Sequence, residues 1–153
     1  IARELASVRV KTIYSAPCES ARETAKRLAD EQRTAGHEVR VKVVDAFRNL
    51  DHGLWHGKLI DEVRRNHPKV YRQGADFPDD FCPPGGEPVA DAKARVTKSL
   101  RKCLKKGRDG VVAIVIPEPL ASVVQSLLSG EDLTSVWKNE TDAASWSMIE
   151  TDL

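Results

Sequence analysis

The chain has 153 residues, of which 31% are charged and 41% hydrophobic, and its formal net charge is +1. That length supports one domain, residues 1–153, with a buried core. The near-neutral balance gives no overall attraction to nucleic acid or acidic membranes, and no apolar run is long enough to span a bilayer.

Ile1 opens a short stretch that reads as a helix already under way, without a secretory signal. Val8 to Ser15 (VRVKTIYS) alternates β-branched and aromatic residues, which predicts a strand. Pro17 suits the first turn of a helix, because a missing N–H costs nothing there. That helix runs to about Ala35, with Ala21, Ala25, Leu28 and Ala29 on one face and Gly36 as its stop. Val39 to Phe47 (VRVKVVDAF) predicts a second strand. A loop bearing glycine and tryptophan follows, then a helix near Leu59 to Asn66 that Pro68 ends. Residues 75–88 hold four of the eight prolines and predict a long loop. Val89 to Lys106 is a helix with Val89, Ala92, Val96, Leu100, Cys103 and Leu104 on its buried stripe. Val111 to Ile116 is an unbroken apolar run, as for a strand covered on both faces. Pro119 to Ser129 predicts a helix stopped by Gly130, and Ser145 to Thr151 alternates as a last strand. Strands separated by helices imply a largely parallel sheet with helices on both sides.

Several of these strings occur together in one family. Ile13 to Ala25 (IYSAPCESARETA) resembles the histidine phosphatase signature YSSP…RA..TA. Gly53-Leu54-Trp55-His56-Gly57 is similar to its GxWEG, and Phe81 to Arg95 (FCPPGGEPVADAKAR) to its F..PGGES..D...R. Val111 to Leu128 resembles the strand and helix around its SHGG, and ASWSMIE its final edge strand. The strings fall in the family's order and cover nearly all of the chain. The resemblance implies an α/β, three-layer α/β/α sandwich of the phosphoglycerate mutase type. It also implies a phosphohistidine mechanism, in which electrostatic groups hold the phosphoryl oxygens and a carboxylic acid protonates the leaving oxygen.

The positions that the resemblance makes catalytic hold other residues. No Arg-His-Gly occurs in the sequence, and the nucleophile and its strand, usually mid-sheet, are expected before Ile1. Ser20 stands at the pocket arginine, four residues before Thr24, and cannot offer a charged fork to phosphate. Arg22 lies two residues on, which turns it elsewhere on a helix at 100° per residue. Asn49 stands at the general acid, four residues before Gly53, and an amide has no proton to give. Pro117 stands at the second pocket histidine. Glu118 and Pro119 replace the two glycines, Glu118 adding a charge that repels phosphate, and Ser122 stands where many relatives carry arginine.

The rim of that degenerate pocket also includes Ser15, His52, Trp55 and His56. Either histidine could act as a substitute acid. Four apart but in a loop, with no third ligand, the pair reads as loop histidines before it reads as a zinc site. Trp55 is expected to close the loop over the core. The turn Gly85-Gly86-Glu87 is either a nest of amides for an anion or a rigid loop. Lys93 to Arg108 is rich in cations and expected to be a solvated face; a docking surface for an acidic partner or polyanion is the alternative. Cys18, in a helix's first turn, reads as a buried thiol. With Cys82 and Cys103 it makes an odd, sparse set that points to reduced thiols and a cytoplasmic setting.

Taken together, these expectations describe a pseudophosphatase with a binding or structural role, no metal or other cofactor, and no membrane or nucleic-acid partner. An upstream segment or a partner chain, a second copy included, would complete the sheet. The alternatives are an active phosphomonoesterase or phosphoglycerate mutase whose nucleophile precedes residue 1, and a polyanion-binding module using helix 93–108.

Overall fold

The computed structural model describes residues 1–107, 110–136 and 145–151. Among those residues the sheet has three parallel strands, β1 (Val10–Ser15), β2 (Arg40–Val43) and β3 (Val111–Val115), in the order β2-β1-β3. Five α-helices among the described residues accompany them: α1 (Glu19–Thr34), α2 (Ile60–Asn66), α3 (Pro68–Asp76), α4 (Val89–Lys106) and α5 (Leu120–Ser129). Thr12 pairs with Arg40 on one side and Val112 on the other, and Ser15 with Val43 and Val115.

The strand period sends alternate side chains to opposite faces, and two apolar layers result. On one face Val10 and Ile13 pack with Ala25, Leu28 and Ala29 of α1. On the other, Tyr14 meets Val96, Leu100 and Cys103 of α4 and Leu120, Val123 and Val124 of α5. This is the α/β/α layering expected of the phosphoglycerate mutase type. Each large apolar side chain so buried stabilises the fold by about 1.5–3 kcal/mol.

Helix limits follow local chemistry. Gly36 and Gly130 take φ of 82° and 73° just past α1 and α5, the left-handed conformation that ends a helix cheaply in glycine. Pro68 does not simply end α2. It is the first residue of a further helix, α3, where its ring fits and its missing N–H costs nothing.

Other expectations are also corrected. The second strand stops at Val43, and Asp45–Phe47 is a single 3-10 turn that carries Phe47 into the core. The chain start forms a 3-10 turn at Glu4–Ser7. β3 is not covered as its apolar run suggested, since Val111 is exposed and Val112 to Val115 are half-buried. Ser145 to Thr151 forms no strand with the described residues, although the Trp146 indole donates to Glu4 Oε2 at 2.8 Å. Alternation makes a strand only where a sheet edge is present to pair with it.

One polar side chain ties the chain start to the sheet. Gln32 of α1 is fully buried. Its Oε1 accepts from the Val10 N–H at 3.0 Å, and its Nε2 donates to the Leu5 and Val8 carbonyls at 2.8 and 2.9 Å. A leucine of similar size would leave the Val10 N–H and the Val8 carbonyl unpaired. Gln32→Leu is therefore expected to lower stability by about 2–4 kcal/mol in urea unfolding. A loss under 0.5 kcal/mol would show the network to be dispensable.

Candidate functional site

The C-terminal ends of the three strands and the loops that follow them gather most of the residues singled out above. In open parallel α/β sheets ligands bind at this end of the strands. Ser15 closes β1, fully buried, with its hydroxyl turned back to the Ala16 carbonyl at 2.9 Å. Ser20 lies exposed in the first turn of α1, 3.6 Å from the exposed Cys18 thiol, so Cys18 is not the buried thiol expected. Thr24 Oγ1 donates to the Ser20 carbonyl at 2.9 Å. Arg22 is exposed on the same helix, away from the buried Ala21 and Ala25.

Asn49 works as a bracket between two loops. Its Nδ2 donates to the Glu118 carbonyl at 2.8 Å, and its Oδ1 accepts from the N–H of Leu50 at 2.9 Å and of Leu120 at 3.3 Å. Glu118 then turns its carboxylate onto the start of α5. Oε2 accepts from the Ser122 N–H at 3.1 Å and the Ser122 hydroxyl at 2.8 Å. A helix N-terminus attracts an anion. Here the chain's own carboxylate takes that place, and Pro117 and Pro119 flank it.

The loop of Asn49 is held from below. Glu87 receives a bidentate pair of hydrogen bonds from Arg95, at 2.6 Å from Nε and 2.7 Å from Nη2. Arg48 adds a longer one at 3.3 Å. The same Arg95 donates to the carbonyls of Ala46 and Asn49. Sequence reading placed Arg95 in a family string but gave it no role. Its position eight residues after Glu87, across a turn and two helical turns, was the available signal. The Arg95 bonds hold the Glu87 carboxyl below its ordinary range; burial opposes them, and the charges of Arg95 and Arg48 add to them.

The two glycine loops lie backbone against backbone. The Leu54 N–H reaches the Pro84 carbonyl at 3.0 Å, and the Glu87 N–H the Asp51 carbonyl at 2.9 Å. A Cβ on Gly53 would come within 2.3 Å of the Pro84 carbonyl oxygen, and one on Gly86 equally close to that of Asp51. The Gly86 N–H is used on Pro83. Of the Gly85-Gly86-Glu87 turn, two amides are thus engaged within the protein.

Trp55 is buried and stacks on Phe81, centroids 6.0 Å apart. His67, which sequence spacing did not connect to the site, lies tilted 5.7 Å from Trp55. His56 is exposed. His52 is partly buried beside Leu50, Phe81, Glu87 and Pro119, around a cavity of about 10 Å³. That is close to the minimum space for one water and far too small for a phosphate ester. Burial and the neighbouring His56 hold the His52 imidazole below the ordinary histidine range, against the pull of Asp51.

Among the described residues no three of His, Cys, Asp and Glu come together as a metal set. No helix among them is long and apolar enough to cross a membrane. On α4, Arg95 is turned inward and Lys93 pairs with Asp79, so the basic face starts at Lys98; Arg108 lies outside the described residues.

The lowered pKa of Glu87 has a measurable consequence. Its folded-state value lies below the ordinary 4.5. The stabilisation it gives is thus present above that pH and lost as pH falls through the folded value. Thermal melting is expected to fall steeply below about pH 4.5 in the parent and less steeply in Glu87→Gln, which starts lower. Parallel pH profiles for the two proteins would contradict this.

Comparison with known proteins agrees with the architecture. The profile of the histidine phosphatase superfamily, branch 1, matches residues 1–153. Phosphoserine phosphatase 1 of Hydrogenobacter thermophilus is 29% identical over 149 residues, covering 97% of this chain and 68% of that protein. The solved structure of YhfR from Bacillus stearothermophilus superposes with a TM-score of 0.74 at 21% identity, covering 90% of this chain and 66% of the other. A mycobacterial glucosyl-3-phosphoglycerate phosphatase solved with VO3 gives 0.71 at 20% identity, covering 87% and 65%. The phosphoglycerate mutase of Bacillus anthracis gives 0.69 at 17%, covering 84% and 63%. At such identities the structural matches speak for the fold, and this chain spans about two-thirds of each relative's length. With a profile match over every residue and the same fold beneath it, the chain belongs to the histidine phosphatase superfamily, branch 1.

Proposed function

We propose that residues 1–153 act as a non-catalytic phosphatase-like domain with a binding or structural role. The observation that carries this reading is the Glu118 carboxylate on the N–H and hydroxyl of Ser122. In the resemblance, this loop supplies a histidine and two glycines to the phosphoryl group. Here it supplies Pro117, Glu118 and Pro119, and the anion at the helix start is internal. A phosphoryl dianion entering the same space meets a like charge at short range, an unfavourable encounter in a partly enclosed site. Asn49 supports the reading too. Both ends of its amide are engaged on backbone, and it has no proton to give a leaving oxygen.

A second reading is favoured by the relatives, and more directly than the first is. Those relatives are named as phosphatases and a mutase. On that reading the protein is an active phosphomonoesterase whose nucleophilic histidine lies outside residues 1–153. It works without an arginine at position 20, an acid at 49 or a histidine at 117. Removing one such electrostatic group costs about a hundredfold or more in rate.

The two separate in one assay, hydrolysis of p-nitrophenyl phosphate and of phosphoserine by the full-length polypeptide at acidic and neutral pH. The non-catalytic reading expects release no faster than buffer, for the parent and for His52→Ala and His56→Ala alike. Turnover that disappears when one histidine is replaced, or a trapped phosphohistidine, would establish the second reading instead.

A further inference from the structure

The opposite end of the sheet holds a second, larger cleft. It is a hollow of about 760 Å³ at the N-terminal ends of β1 and β2 and the C-terminal ends of α1 and α4. Arg9, Lys11, Arg33, Arg40 and Lys106 line it, with Glu38 as the one carboxylate among the described lining residues. A chain with a net charge of +1 has no general excess of cations, so this concentration is local. Among the described residues, Arg9, Lys11, Arg40 and Lys106 take part in no ion pair; Arg33 alone is engaged, with Asp30. Five like charges around one hollow repel one another and favour any multivalent anion that enters it.

The backbone is shaped to put one of these cations there. Val10 and Thr12 of β1 pair with the consecutive Val111 and Val112 of β3, so Lys11 is the extra residue of a β-bulge. Such a bulge takes a side chain out of the ladder and re-aims it. Lys11 then lies along Gly110, where an added Cβ would come 3.0 Å from its Cε and push that side chain aside. The lining has one deeply buried apolar side chain, Val39, and no Trp, Tyr or Phe on which a base could stack. Its volume is that of a small-molecule site.

We propose that this cleft binds a compact polyphosphate, a ligand with several linked phosphate groups and no apolar portion. Arg9, Arg33 and Arg40 supply planar guanidinium forks, and Lys11 and Lys106 supply point charges. The cleft lies at the far end of the strands from Glu118, so the proposal stands or falls independently of the reading above.

Titration calorimetry of the protein with inorganic tripolyphosphate, at about 50 mM salt, tests it. One saturable site per chain is expected, weakened about tenfold or more by the double variant Lys11→Glu/Arg40→Glu and by raising salt to about 200 mM. Lys69→Glu, on exposed α3, is expected to change affinity less than about twofold. Should the double variant lose its parental melting temperature, Lys11→Gln and Arg40→Gln singly serve, each expected to weaken binding about threefold. Absence of saturable binding, unchanged affinity in the cleft variants, or equal weakening by Lys69→Glu would overturn the site. So would a single-stranded oligonucleotide that binds it more tightly than tripolyphosphate.

Discussion

The contact between Arg95 and Glu87 organises the end of the molecule where the strands finish. One guanidinium grips one carboxylate in two places and uses two further donors on the carbonyls of Ala46 and Asn49. Both side chains are largely buried, with 14% and 12% of their surface exposed. Removing either partner would strand a charge and cost about 3–5 kcal/mol. The clamp sets where the loop after Phe47 runs. That loop presents Asn49, and Asn49 in turn fixes the backbone between Glu118 and Leu120. Glycine is required at 53 and 86 because the two clamped loops touch through their backbones.

This chain of dependence shows which residues of the family strings serve the fold itself. Arg95, Glu87, Gly53, Gly86 and Trp55 are bonded to the fold itself and keep a structural task whatever the pocket does. On the proposed reading, Ser20, Asn49 and Pro117 stand where the resemblance asks for ionisable groups. Asn49 braces two loops, while Ser20 is exposed and, among the described residues, its hydroxyl meets the Cys18 thiol. Glu118 gives the start of α5 the negative partner that a helix dipole favours.

Much of the architecture was legible because it rests on local rules. The 3.6-residue stripes of α1, α4 and α5 and their glycine stops read directly as helices, and the apolar run at Val111 as a strand. Pro68 misled because proline both ends one helix and starts the next. The end of the second strand was lost because Val44 to Phe47 keeps an apolar pattern while the backbone turns. The exposure of β3 and the non-strand course of Ser145 to Thr151 depend on which strands are neighbours, which no period encodes. At the site, residue types could be placed but partners could not. Nothing in spacing connects Asn49 to Glu118, or His67 to Trp55, since those contacts are made across the fold.

The claim at the centre is that the start of α5 is already occupied by the protein's own carboxylate. The most direct measurement is an amide chemical-shift titration with orthovanadate, followed at Ser20, Asn49, Leu120 and Ser122. Internal occupation predicts that these amides stay in place in the parent and that those of Leu120 and Ser122 move only in Glu118→Gly. Saturable shifts at Ser122 and Asn49 in the parent, at micromolar vanadate, would mean that the site accepts a phosphoryl mimic as it stands.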